Sequence, residues 1–102
     1  MKGEKFLEQL EEEHPIKNII TWNDRFKKYL IRLIDFLDKN NIENLDSKLN
    51  ELKKDKANWE SYISEMEFCR KLAGLSPEFI PSKSKGAAPD IKISLNGEDI
   101  FF

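Results

Sequence analysis

The stretch that decides the fold is Ala88-Pro89-Asp90-Ile91-Lys92-Ile93-Ser94-Leu95-Asn96-Gly97-Glu98-Asp99-Ile100-Phe101-Phe102. From Asp90 to Leu95 polar and apolar residues alternate, which puts Ile91, Ile93 and Leu95 on one face of a strand. Asn96-Gly97 then supplies two residues that tolerate positive φ, the requirement of a two-residue type I′ turn, so the chain doubles back as a β-hairpin. Glu98 to Phe102 is the returning strand. A lone hairpin is marginal in water, so it needs a further strand or a helix beneath it. Phe101 and Phe102 are poor terminal residues for a soluble protein, and the sequence therefore reads as part of a longer one.

Working back from the hairpin, residues 82–86 (Ser-Lys-Ser-Lys-Gly) form a polar, cationic loop, and residues 78–81 (Glu-Phe-Ile-Pro) a short strand. Gly74 is expected to stop the preceding helix, since glycine takes the left-handed conformation at little cost. Upstream, Leu45, Leu49, Leu52, Trp59, Ile63, Met66 and Ala73 recur at steps of three and four. They describe a helical stretch that starts after Asn44 or Asp46, either as one long arm or as two helices broken around residues 54–58. A clearer helix carries Trp22, Phe26, Tyr29, Leu30, Leu33, Ile34 and Leu37 on one stripe, capped by Thr21 or Asn23 and ended by Asn40-Asn41. These two helical segments are expected to form an antiparallel pair. Residues 2–13 read as a short amphipathic helix bearing Phe6, Leu7 and Leu10, stopped near His14-Pro15. The fold class is therefore α+β and mostly helical: two or three amphipathic helices, a short strand, and a C-terminal antiparallel hairpin. Residues 1–57 are expected to form an N-terminal helical region and residues 58–102 a helix, a short strand and a hairpin that begin a further core, within one compact unit.

Composition narrows the function. The 102 residues carry a net charge of -2 with 35% charged residues, so a generic polyanion-binding surface is not expected, although a local basic patch is compatible with these totals. No apolar run is long enough to span a bilayer, and the N-terminus lacks the apolar core of a secretory signal. Cys69, the single cysteine, reads as a reduced, packed side chain of an intracellular, cytoplasmic protein. His14 has no second metal-ligand residue at a useful spacing and reads as a surface or boundary histidine. Trp22, Phe26, Tyr29 and Trp59 lie on apolar stripes and are expected in the core before they are expected to stack on bases.

The ordered combination of Glu65-Met66-Glu67-Phe68-Cys69-Arg70-Lys71-Leu72-Ala73-Gly74-Leu75, Glu78-Phe79-Ile80-Pro81 and Lys85-Gly86-Ala87-Ala88-Pro89-Asp90-Ile91-Lys92-Ile93 resembles the opening of a PD-(D/E)xK nuclease-like, or restriction-endonuclease-like, core. The resemblance covers about residues 61–102. It implies a divalent-metal-dependent nuclease acting on nucleic-acid phosphodiesters, with Mg²⁺ to neutralise charge and activate water. It implies further that Asp90 is the first metal ligand, that Glu67 or Glu65 is the helix acid some members use, and that a later strand carries an acid-x-Lys element. Glu60, two turns back on the Glu67 face, is a weaker candidate for the helix acid. No such lysine follows Lys92, so the missing element is expected just beyond Phe102 in the parent protein, and the present chain alone is expected to have no nuclease activity. Lys83 and Lys85 stand where a loose loop would contact phosphates, though a solvated linker has the same composition. Glu65 and Glu67 are also ordinary solvated helix residues in a chain this acidic, and Asp90 also fits a plain strand start. The competing reading is a non-enzymatic helical interaction module that forms a homodimer or pairs with a partner through its helices or the hairpin edge.

Overall fold

A computed structural model describes residues 2–80 and 91–102. Its element order is α1 (Lys2–Glu8), α2 (Pro15–Trp22), α3 (Asp24–Lys39), α4 (Leu45–Lys54), α5 (Trp59–Lys71), a 3-10 turn (Ala73–Leu75), β1 (Glu78–Phe79), β2 (Ile91–Leu95) and β3 (Glu98–Phe101). The mostly helical α+β class expected from the sequence is what forms.

The hairpin is built as its sequence requires. Asn96 and Gly97 take φ of 53° and 83°, and the strands pair antiparallel with Leu95 opposite Glu98 and Lys92 opposite Phe101. β1 joins the other side of β2, with Phe79 opposite Ile91, so the sheet order is β1-β2-β3. Alternation along β2 buries Ile91 and Ile93 and leaves Lys92 half-buried on the opposite face. Leu95, expected with the buried pair, is exposed.

The helices differ from expectation in three places. Residues 2–13 do not form one helix; α1 ends at Glu8, ahead of the Glu11-Glu12-Glu13 run, whose charges oppose the negative end of a helix dipole. Pro15 does not merely stop a helix but opens one, standing at the first position of α2, where its missing N–H costs nothing. Asn23 separates α2 from α3, and its Oδ1 accepts from Phe26 N at 3.1 Å, which selects Asn23 over Thr21 as the cap of α3. Trp22 is therefore the last residue of α2 rather than part of the α3 stripe, and it is 70% exposed instead of in the core.

The other boundaries follow from backbone accounting. α3 ends in a Schellman arrangement: Asn41 takes φ of 54°, Asn41 N–H donates to Asp38 O, and Ile42 N–H donates to Leu37 O. The break between α4 and α5 falls in the 54–58 window. There Asp55 Oδ1 accepts from Asn58 N at 3.2 Å, and its Oδ2 accepts from Asn58 Nδ2 and the Tyr62 hydroxyl at 2.9 Å each. Gly74 is not the left-handed stop. It lies inside the 3-10 turn, and Ser76 takes the left-handed conformation with φ of 52°.

One hydrophobic cluster ties the pieces together. It includes Phe6 and Leu7 of α1, Ile16 of α2, Leu30, Leu33, Ile34 and Leu37 of α3, Leu49 and Leu52 of α4, Met66 and Cys69 of α5, Phe79 and Ile91. The expected packing of Cys69 holds: it is buried and unbridged, and burial pushes its thiol up to about 12. His14 is the correction here, being fully buried rather than at the surface. Its Nδ1 accepts from Ile16 N at 3.1 Å as the cap of α2, which leaves Nε2–H to donate to Leu52 O at 2.9 Å. The sheet is pinned to the helices by Phe79 N–H donating to Glu43 O and by Asn44 Nδ2 donating to Phe79 O at 2.6 Å.

Candidate functional site

Asp90, Lys83 and Lys85 lie outside the described residues, so the site is described from the remaining candidates, Glu65 and Glu67, and from the sheet. α5 supplies the two helix carboxylates, and two residues of separation on a helix turn them about 200° apart. They meet different neighbours.

Glu65 points towards α4 and β1. Its Oε2 accepts from Lys48 Nζ at 2.7 Å, and the same ammonium reaches Glu51 Oε2 at 3.2 Å. Lys48 is 3% exposed and sits 5.2 Å from the centre of the Tyr62 ring and 5.5 Å from that of Phe79. Burial disfavours its charge, but the bond to Glu65 and the fields of Glu65 and Glu51 outweigh that and raise its pKa. An ammonium removed from water among two carboxylates and two ring faces remains a cation. The sequence stripe gave no sign of this, because Lys48 is flanked by Asp46, Ser47 and Asn50 and reads as solvated. The retrospective signal is its position one residue before Leu49 on the inward side of α4.

Glu67 points towards α3. Its Oε2 accepts from the Tyr29 hydroxyl at 2.6 Å, and its Oε1 accepts from both Nε and Nη2 of Arg70. The Arg70 guanidinium, then the Tyr29 hydroxyl, hold its carboxyl below the usual range. Burial first, and Glu67 second, push the Tyr29 phenol up to about 12. On α5 the Phe68 ring packs edge-on against that of Phe102, 5.1 Å between centres.

The sheet face turned away from the core carries a second polar set. Lys92 Nζ lies 2.9 Å from Glu78 Oε1 and 4.0 Å from Asp99 Oδ2, and Ser94 Oγ donates to Asp99 Oδ1 at 2.8 Å. The bond to Glu78 and the neighbouring carboxylates raise the Lys92 pKa. Among the described residues no three His, Cys, Asp or Glu side chains come together as a metal cage, so Glu65 and Glu67 do not form one by themselves. No helix among the described residues is long and apolar enough to cross a membrane.

Comparison with protein-family models, with curated proteins and with solved structures gives no match for this chain.

Proposed function

We propose that this chain is the N-terminal part of a divalent-metal-dependent nuclease-like protein acting on nucleic-acid phosphodiesters. The observation that carries the reading is the register of the hairpin that follows Pro89-Asp90. Ile91 and Phe102 exchange backbone hydrogen bonds, Phe102 N–H to Ile91 O at 2.9 Å and Ile91 N–H to Phe102 O at 3.4 Å. The resemblance puts its two strand acids on a pair of adjacent antiparallel strands, the arrangement that β2 and β3 form up to this last described pair. Directly opposed residues of that kind have Cβ atoms roughly 5 Å apart, close enough for two carboxylates to share one cation. The order of α5, β1, β2 and β3, with its antiparallel meander, also agrees with the resemblance.

On this reading Asp90 and the acid beyond Phe102 hold the Mg²⁺ of the parent protein, and the metal supplies charge neutralisation and activated water. Glu65 and Glu67 have structural partners on α4 and α3, so the metal's ligands are assigned to the strands first. Lys83 and Lys85 would contact phosphates on this reading. The free, buried thiol of Cys69 accords with a cytoplasmic setting.

Reading the gene through and past the codon for Phe102 tests the proposal. An acid-x-Lys sequence in the next few codons supports it, and a stop codon there removes it.

A second reading is favoured by one specific observation. β3 is an edge strand in this sheet, and Ile100, Phe101 and Phe102 on and beside it are exposed. An uncovered apolar edge is a template for pairing with another strand. Sedimentation of the chain as a dimer would support a self-associating module, and a monomer across the accessible concentration range would argue against it.

A further inference from the structure

A groove of about 490 Å³ runs between α3 and α5. Its lining includes Arg25, Lys28, Tyr29, Arg32 and Phe36 of α3 and Arg70 of α5, over a floor of Leu33. No carboxylate lines it, in a chain whose net charge is -2. Asp24 stands at one end, 2.9 Å from Lys28, and Glu67 stands at the rim on Arg70 and Tyr29. Arg25 and Arg32 have no ion pair or hydrogen-bond partner among the described residues, and both are exposed. Lys28 and Arg70 are thus ion-paired, and Arg25 and Arg32 carry the groove's unpaired positive charge.

The spacing adds chemistry to the charge. Along α3 the order Arg25, Tyr29, Arg32, Phe36 steps by four, three and four residues, so cation and ring alternate down one face over about 16 Å. Tyr29 and Phe36 are 38% and 39% exposed, which leaves ring surface open to solvent. Tyr29 is held in place through its hydroxyl by Glu67, which also orients Arg70, so Glu67 acts as a positioning residue for both. A chain that alternates phosphates with flat bases matches such a surface. Guanidinium groups take the phosphates, and unpaired bases stack on the rings. An acidic peptide would satisfy the cations but not the rings.

We propose that the α3–α5 groove binds single-stranded nucleic acid. Binding in this groove needs no metal and is tested without one, so it stands or falls independently of the nuclease reading.

The test is fluorescence anisotropy of a labelled oligo-dT of about ten nucleotides with the 102-residue chain, in chelator and at low salt. Expected is saturable binding, tighter than to a duplex of the same length. Log affinity should fall against log salt with a slope of about -2 to -3, the value for three or four phosphate contacts on a single strand. Arg25→Glu with Arg32→Glu should weaken binding at least ~10-fold, and Tyr29→Ala at least ~5-fold through lost stacking. Lys53→Glu with Lys54→Glu on α4, an equal change of charge, should leave it within about twofold. Circular dichroism confirms that each variant folds, and if the α3 double variant does not, Arg32→Gln replaces it with an expected loss of several-fold. The proposal is overturned by absence of binding at low salt, by equal losses in the α3 and α4 variants, or by an acidic peptide of matched charge competing as well as oligo-dT.

Discussion

Lys48 Nζ lies 2.7 Å from Glu65 Oε2 in a position where the lysine is 3% exposed, making this the most deeply placed ion pair described in the molecule. Removing one partner strands the other. Lys48→Met should destabilise the fold by about 1–3 kcal/mol in chemical denaturation, at or below the usual cost of breaking a buried pair because both glutamates retain partial solvent contact. Lys48→Met with Glu65→Leu should recover part of that loss, since the more buried of the two carboxylates is then removed together with the ammonium. A double variant at least as unstable as the sum of the singles would contradict the pairing.

Several shifts predict the direction of the pH response. Lys48 has a raised pKa in the folded state, so its contribution is complete below 10.5 and is lost as pH rises through the raised value. Tyr29 and Tyr62, both pushed to about 12, add to this: unfolded phenols ionise near 10 while the folded ones stay protonated, so stability falls between those values. Glu67 acts at the other end. Its carboxyl is lowered, so its contribution is present above 4.5 and is lost as pH falls through the depressed value. Ultraviolet titration of the phenols, compared with urea midpoints across the alkaline range, checks the first two. Glu67→Gln should lower the Tyr29 value only in part, because burial is the larger cause.

Gly3 sets how closely α1 approaches α3. A Cβ at this position would stand 2.7 Å from Ile31 O and 2.8 Å from Ile31 Cα, both backbone atoms that cannot swing away. The Gly3 N–H also donates to Asp35 Oδ1 at 2.8 Å. Gly3→Ala should therefore lower stability by about 1–3 kcal/mol despite the better helix propensity of alanine, and a neutral or stabilised melting temperature would contradict the contact.

His14 serves two helices at once, capping α2 and satisfying Leu52 O at the end of α4. His14→Ala should cost about 2–4 kcal/mol, a cap of ~1 plus a buried carbonyl left without its partner. His14→Asn should recover the cap alone and fall between the two, as measured by thermal or denaturant unfolding.

Legibility from sequence followed the range of the interaction. The Asn96-Gly97 turn and the Asn40-Asn41 stop are decided by adjacent residues and were readable, while the Asn23 cap and the break at residues 54–58 each stood as one of two alternatives. The roles of His14 and Lys48 were not, because each depends on partners 17 to 38 positions away. Trp22 was misplaced for a related reason: a periodic stripe carries no record of a cap residue that rotates the next helix out of phase. The α3–α5 groove combines both cases. Its α3 alternation is visible in the sequence, but that Tyr29 and Phe36 line an open groove rather than the core depends on how α5 packs.

The proposed nuclease function rests on Asp90 as a metal ligand of the parent protein. The direct measurement is cleavage of single- and double-stranded DNA and RNA by the protein encoded by the complete reading frame, with and without Mg²⁺ or Mn²⁺, as wild type and as Asp90→Ala. Metal-dependent cleavage is expected, falling at least ~100-fold in Asp90→Ala while the fold is retained. Cleavage unchanged in Asp90→Ala, or absent from the wild type with every substrate and either metal, would contradict it.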